Sequence, residues 1–378
     1  MQFDLDAEQL SLQESLQRYF SQQYDFEKRR AFLATPHGSS PLVWRNLAAQ
    51  GITAIGIPET HGGIGGAAEI MLVMEEIGRS LVLEPFMSTI ALCAPLIADI
   101  GTEAQCAEIL PRVAAGDCRL ALAHSEPDAR YTLDYVKARA RQDGGSFRLD
   151  GIKQTVLDGA VADLFLVTAR TDDTIGVFVV EPGATGLDVA RYRTQDGRSA
   201  ADLTLRNVPG KLLGDGRDAL PAIERAIERA LAALCAEAVG AMDATNAATV
   251  EYTKSRKQFG QPIGRFQALQ HRMADMFVLA TQARSMSVLA TGRLASADAA
   301  LRRRDIASAK AYVGKALRFV GQQAVQLHGG MGMADELAVS HYFKRLTMIG
   351  QTFGDVSHHV QTVSEAILAE AVPVSELA

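Results

Sequence analysis

Arg256-Lys257-Gln258-Phe259-Gly260, with Phe266-Gln267 a few residues on, reads as the end of one helix, a loop punctuated by Gly and Pro, and the start of another helix. A helix C-terminus carries a partial negative charge, so an Arg in the last turn and a Gly just beyond it are what helix chemistry alone selects. The guanidinium is also the best side-chain partner for a phosphate or pyrophosphate, because it offers paired donors of permanent charge. Taken alone, the segment favours the structural reading. A second element, Gln326-Leu327-His328-Gly329-Gly330-Met331-Gly332, shifts the balance. Glycines here would let another group approach the backbone closely, since they lack Cβ and accept positive φ.

Outward from these two breaks, apolar-periodic segments run from Ala219 onward and predict a helical bundle. Between Arg119 and about Gly214 the pattern changes. Phe147-Arg148-Leu149, Leu164 to Ala169, Ile175 to Val180 and Asp202 to Leu205 are strand candidates. Turn signals separate them at Asp143-Gly144-Gly145, Asp172-Asp173, Pro182-Gly183 and Asn207-Val208-Pro209-Gly210. A compact antiparallel β domain is the expectation. From Asp6 to about Asp117 helical periodicity returns: Ile70, Val73, Met74 and Ile77 share one face, and Gly62-Gly63-Ile64-Gly65-Gly66 supplies a loop. The expected domains are therefore helical over 1–118, β over 119–216 and helical over 217–378, with a frayed tail from Pro373 to Ala378.

A chain of 378 residues exceeds the size at which a single core keeps growing, which fits several domains. The net charge of −6 and pI near 5.8 argue against a nucleic-acid partner, which needs a clustered basic surface. Arg302-Arg303-Arg304, followed by Asp305, reads as a solvated helix face. Cys93, Cys106, Cys118 and Cys235 lack the close pairs of metal sites and read as buried thiols, so no metal and no disulfide framework is expected. Met1 to Glu8 is polar and acidic, unlike a targeting peptide, and no apolar run reaches the length of a membrane span. A cytoplasmic location is expected.

Together the Arg256–Gly260 and Gln326–Gly332 segments resemble C-terminal signatures of the acyl-CoA dehydrogenase family, flavoenzymes that desaturate acyl-CoA thioesters. Further matches follow the family's order: Leu47 to Gly51, Ile57-Pro58-Glu59, His61-Gly62-Gly63-Ile64-Gly65, Glu75-Glu76-Ile77-Gly78-Arg79, Ser125-Glu126-Pro127 and Leu149-Asp150-Gly151-Ile152-Lys153. Leu234-Cys235-Ala236-Glu237-Ala238-Val239-Gly240 and His341-Tyr342-Phe343-Lys344-Arg345-Leu346-Thr347 look most like the small subunits of the family's pimeloyl-CoA dehydrogenase branch. The resemblance implies an α+β multidomain fold: an N-terminal helical domain, a middle antiparallel β-barrel and a C-terminal four-helix bundle.

It also implies FAD. Arg256 would neutralise the pyrophosphate, and Gln267 would add an amide near a helix start, where exposed N–H groups favour anions. Phe259 would pack on an aromatic or ribityl face beside Gly260. Gly329 and Gly330, with Gly332, would admit the cofactor, and Gln326 would bond its adenine end. In relatives these groups bind the FAD held mainly by a neighbouring subunit, so a dimer or tetramer is implied. In the β domain, Leu122 and Ser125 match the flavin-contacting strand, with the Ser125 hydroxyl at the pyrimidine edge. Val156 and Leu157 match the second contact strand. Leu157 has no side-chain donor for flavin N5, so only a backbone amide would serve there.

Desaturation needs a base for the α proton while the β hydrogen leaves as hydride, and a carboxylate raised by burial suits that task. The two positions at which the family carries it are Phe353 and Ala230 here. Neither is an acid. Asp355 is the best nearby candidate, although a helix N-cap is the competing reading. Glu237, Asp243, His358 and His359 are others. The CoA-contacting loop reads Asp128-Ala129-Arg130-Tyr131, bulkier than usual, with Tyr131 the candidate substrate contact. Two readings follow: an enzyme that oxidises an acyl-CoA to the 2,3-enoyl-CoA and passes electrons to an electron-transfer flavoprotein, or a silent small subunit that completes the FAD site of a heterotetramer with a larger homologous subunit.

Overall fold

The computed structural model describes residues 5–144, 146–172 and 174–371. The tail Pro373–Ala378, the first residues of the N-terminal reading and the turn residues Gly145 and Asp173 lie outside these. In chain order the helices α1 (Ala7–Gln23), α2 (Phe26–Leu33), α3 (Pro41–Ala49) and α4 (Ala67–Ser80) come first. A π-helical run, Met87–Cys93, leads into α5 (Ala94–Ile100) and α6 (Glu103–Ala114). Strands β1 (Leu120–Ala123), β2 (Arg139–Asp143), β3 (Ser146–Leu157), β4 (Leu164–Arg170), β5 (Ile175–Val180), β6 (Leu187–Arg193) and β7 (Ser199–Leu212) follow. The long helix α7 (Leu220–Ser255), a hairpin of β8 (Lys257–Gln258) and β9 (Gln261–Pro262), and helices α8 (Gln267–Arg293), α9 (Ala299–His328), α10 (Ala338–Gln351) and α11 (Val356–Ala371) complete the order. The described chain packs as two compact units, one of 30–70 and 83–230, the other from the described parts of 1–29, 71–82 and 231–378.

In the first unit the β sheet runs β1-β4-β2-β3-β7-β5, with β6 on β7 and β5 also on β4. Residues Leu164 to Ala169 of β4 are all buried, which is why that strand reads as a continuous apolar run rather than an alternation. The antiparallel barrel of the sequence reading is corrected on two points. β1 and β4 run parallel. β2 meets β4 through the single pair Arg139↔Arg170, so the barrel is not closed along that seam. Asn207-Val208-Pro209-Gly210 is no turn but the second half of β7, with Val208 opposite Leu149 and Gly210 opposite Phe147. Asn207, at φ 56, takes the left-handed conformation that its short polar side chain tolerates, and the strand continues past it.

In the second unit α8, α10 and α11 all pack on α9. Five helices, not four, fill 217–378 among the described residues. α4 and α7 cross at glycines: a Cβ on Gly78 would sit 1.9 Å from the Glu237 carbonyl oxygen, and one on Gly240 would sit 1.8 Å from that of Glu75. Only glycine permits so close a backbone approach. Arg302, read as solvated, is buried, and its guanidinium donates to the Ser296 carbonyl at 2.9 Å. Arg304 meets Glu370 at 2.8 Å. All four cysteines are buried free thiols. Among the described residues, no helix is long and apolar enough to cross a membrane, and no group of three or more His, Cys, Asp or Glu could hold a metal ion.

Candidate functional site

The helix end at Arg256 is built as the punctuation predicts. α7 stops at Ser255, and the β8–β9 hairpin turns through Phe259 and Gly260, both at positive φ (52° and 78°). Two positive-φ central residues make the tight hairpin turn whose twist suits the flanking strands. Phe259 is 90% exposed, its ring edge-on to Phe266 at 6.0 Å. A large aromatic held in a left-handed backbone and so exposed contributes little to this chain's own packing beyond that ring contact. Arg256 and Gln267 are also exposed. Phe266 caps α8 without any side-chain hydrogen bond, so the first amides of α8 lack a side-chain acceptor.

The glycine corner closes α9. Gly332 is needed by the fold, since its Cβ would lie 2.6 Å from the Val325 carbonyl oxygen. Gly329 and Gly330 differ: a Cβ on either would meet nothing within 4 Å, and Gly330 does not have a positive φ. Nothing within this chain therefore requires glycine at 330, which fits a backbone that must admit a group from outside the chain. Gln326 is exposed beside it. The sequence reading missed Tyr252. Its ring stacks on His328 at 4.3 Å and its hydroxyl donates to the His328 carbonyl at 3.3 Å. One turn before Arg256 on α7, Tyr252 thereby ties the arginine segment to the glycine corner. An aromatic four residues ahead of the arginine is the one signal that could have found it.

In the β unit, Leu122 is buried in β1 and Ser125 is half-buried just after it. The Gln154 amide donates to the Ser125 carbonyl at 2.8 Å, which brings the two candidate flavin strands together. Val156 is buried and Leu157 half-buried beyond Thr155, whose φ of 52° accompanies a register shift in β3. Beneath this segment lies an ionic cluster that sequence reasoning also missed. Lys153, fully buried, donates to Glu126 Oε1 at 2.7 Å, Thr168 Oγ1 at 2.9 Å and the His124 carbonyl at 3.3 Å. Burial pulls the Lys153 ammonium down to about 8. Burial would push the Glu126 carboxyl up, but Lys153 and the amides of Lys137 and Ala138 outweigh it and hold it below its usual range. In the neighbouring loop Ala129 is buried, Tyr131 is half-buried, and Asp128 and Arg130 both take positive φ (69° and 48°).

The acids near positions 230 and 353 are otherwise engaged. Ala230 is fully buried, and Phe353 is half-buried at φ 56°. Glu237 accepts two 2.6 Å hydrogen bonds from Arg345, with both side chains buried. Asp243 lies between Arg284 at 2.5 Å and Arg79 at 3.1 Å. Asp355 Oδ1 accepts from the His358 amide at 2.9 Å, the N-cap arrangement for α11. Burial, then Lys310 and His358, drives the His359 imidazole down to about 3. Burial, then Lys153, drives His124 to about 4.

Both shifts lie below the ordinary histidine value, so the unfolded chain takes up these protons first and stability falls with pH through that range. Melting temperature should drop progressively as pH falls from about 6.5 towards about 4. The double variant His124→Asn/His359→Asn should drop less steeply; an unaltered slope would place the acid sensitivity elsewhere.

Three family models match: the acyl-CoA dehydrogenase N-terminal domain over residues 6–117, the middle domain over 121–208 and the C-terminal domain over 220–368. The acyl-CoA dehydrogenase IpdE2 of Mycobacterium tuberculosis is 30% identical over 318 residues, covering 84% of this chain and 83% of that protein. The mitochondrial long-chain specific acyl-CoA dehydrogenase of Sus scrofa is 29% identical over 361 residues, covering 87% of this chain and 82% of that protein. Among solved structures, a variant of the Tcur3481–Tcur3483 steroid ACAD matches with TM-score 0.88 at 29% identity, covering 96% of this chain and 98% of that one. The chain belongs to the acyl-CoA dehydrogenase family.

Proposed function

We propose that this chain is the FAD-binding subunit of an acyl-CoA dehydrogenase whose α-proton base is supplied by a larger homologous subunit. Membership of the family carries the reaction class, flavin-dependent oxidation of an acyl-CoA thioester, and FAD as the cofactor. When bound, FAD supplies a two-electron acceptor for the hydride from the acyl β carbon. On the FAD held mainly by a neighbouring subunit, Arg256 would hold the pyrophosphate, Gln267 and the first amides of α8 would add donors, and Phe259 would cover an apolar face. Gly329 and Gly330 would admit that cofactor and Gln326 would bond its adenine end, while Ser125, Leu122, Val156 and Leu157 would face the ring of the FAD that this chain mainly holds. Tyr131 contacts the thioester side.

The observation that carries the proposal is the disposal of the acids. Positions 353 and 230 hold Phe and Ala, Glu237 and Asp243 are tied into ion pairs, and Asp355 caps a helix. Support also comes from the likeness of 234–240 and 341–347 to the small subunits of pimeloyl-CoA dehydrogenases. The structural neighbours include the ChsE4–ChsE5 complex, a pair of unlike chains. A dimer or tetramer, electron-transfer flavoprotein as acceptor, the three domains 1–118, 119–216 and 217–378, and a cytoplasmic location belong to the same proposal.

A second reading is favoured by one observation. Asp355 is half-buried two residues past the usual base, and its cap bond uses Oδ1, so its other oxygen could act as a displaced base in an enzyme active by itself. The two separate cleanly under anaerobic conditions. Loaded with FAD, the purified chain should stay yellow on addition of a panel of acyl-CoAs and bleach only with the larger subunit present. Bleaching by the chain alone would sink the first reading and support the second.

A further inference from the structure

The turn between α10 and α11 is held by two buried side chains from outside it. Lys310 of α9, 1% exposed, donates to the Thr352 carbonyl at 3.1 Å and to the Gly354 carbonyl at 2.9 Å. His359 of α11, 3% exposed, packs against the same turn, with its Nε2 close to Gly354. The carbonyls of 352 and 354 are thus held by one ammonium, and the residue between them is bent to φ 56°. Gly354, at φ 119°, completes the bend: a Cβ there would lie 2.5 Å from His359 Nε2 and 2.6 Å from His358 Cδ2.

A non-glycine residue in the left-handed region costs on the order of 1 kcal/mol, so the bend persists only where surrounding contacts impose it. A buried ammonium is costly as well, and two carbonyl acceptors partly compensate it. Neither cost serves the packing of helices α9, α10 and α11, for which an apolar side chain at 310 would do. Both are explained if the turn must present residue 353 in one fixed orientation.

We propose that Lys310 and His359 are positioning residues that set the backbone at 353 whatever side chain stands there. This rests on the reading of 353 as the family's base position. It means that the chain has lost the carboxylate but kept the mount for it.

The groups facing the Lys310 ammonium are Cys235 from α7, Asp355 from the turn, and His358 and His359 from α11. Burial lowers that ammonium to about 8. Hydrogen–deuterium exchange of a peptide covering 351–359 in the intact protein tests the clamp. Lys310→Met, which keeps the volume and removes the donors, should speed exchange there about tenfold or more. Melting temperature should change little, since a buried charge has been replaced by an apolar group. Phe353→Ala should leave exchange nearly as in the parent. Unchanged exchange in Lys310→Met would overturn the clamp. So would equal loosening by Phe353→Ala. Phe353→Glu reports separately on the reading beneath: if its FAD-loaded form does not bleach with any acyl-CoA while the exchange results hold, the mount stands and the base assignment falls.

Discussion

Arg345→Met should lower the stability of the helical unit by about 3–5 kcal/mol, the cost of leaving one member of a buried ion pair alone. Glu237 is 1% exposed and Arg345 8% exposed, so water cannot replace the two 2.6 Å hydrogen bonds that the substitution removes. The carboxylate would have to protonate or drag in water, and either response opens the contact between α7 and α10. Glu237→Met/Arg345→Met should recover much of the loss, because a pair of apolar side chains of similar volume removes the stranded charge. Urea unfolding at neutral pH measures both. A loss below about 1 kcal/mol in the single variant would mean that the pair behaves as a solvated one and that Glu237 is free for another task.

The second large effect concerns the cofactor. Arg256→Ala should weaken FAD binding by roughly ten- to a hundredfold, the scale of charge-assisted hydrogen bonds to a phosphate. The parent chain should carry its yellow colour through gel filtration, and the variant should elute colourless. Folding should be unaffected, since the Arg256 side chain is exposed and only its backbone is used, accepting from Ile263 and donating to Tyr252. Full retention of flavin by the variant would remove the residue on which the pyrophosphate assignment depends.

How far these features could be read in advance depends on the range of the interaction. The ends of α7 and α9 were legible because Gly260, Pro262 and Gly329 act locally on φ and on the hydrogen-bond ladder. Asn207-Val208-Pro209-Gly210 misled for the same reason: its composition is that of a turn, but pairing with β3 turned the left-handed Asn207 into an irregularity within a strand. Arg302 misled because a run of like charges says nothing about which member tucks under a helix start.

That residues 230 and 353 are not acids was plain once the family resemblance pointed to those positions. The fate of the nearby acids was not. The partner of Glu237 is 108 residues away, and those of Asp243 are 164 and 41 residues away, so only the packed helices reveal that these carboxylates are occupied. Lys153 lay in a strand whose burial does not alternate, and its charge is explained only once Glu126 and Thr168 are seen to face it. Tyr252 looked like any aromatic on a helix until its ring met His328.

The account stands on one contact: the Arg256 guanidinium and the open backbone at Gly329 and Gly330 receive the same dinucleotide. Crystals of the protein grown with excess FAD test it directly. Density for a diphosphate within hydrogen-bond reach of an Arg256 side chain, with the cofactor lying against a Gly329–Gly330 backbone, is the predicted result. A cleft at Arg256 that stays empty, or FAD bound away from both segments, would contradict it.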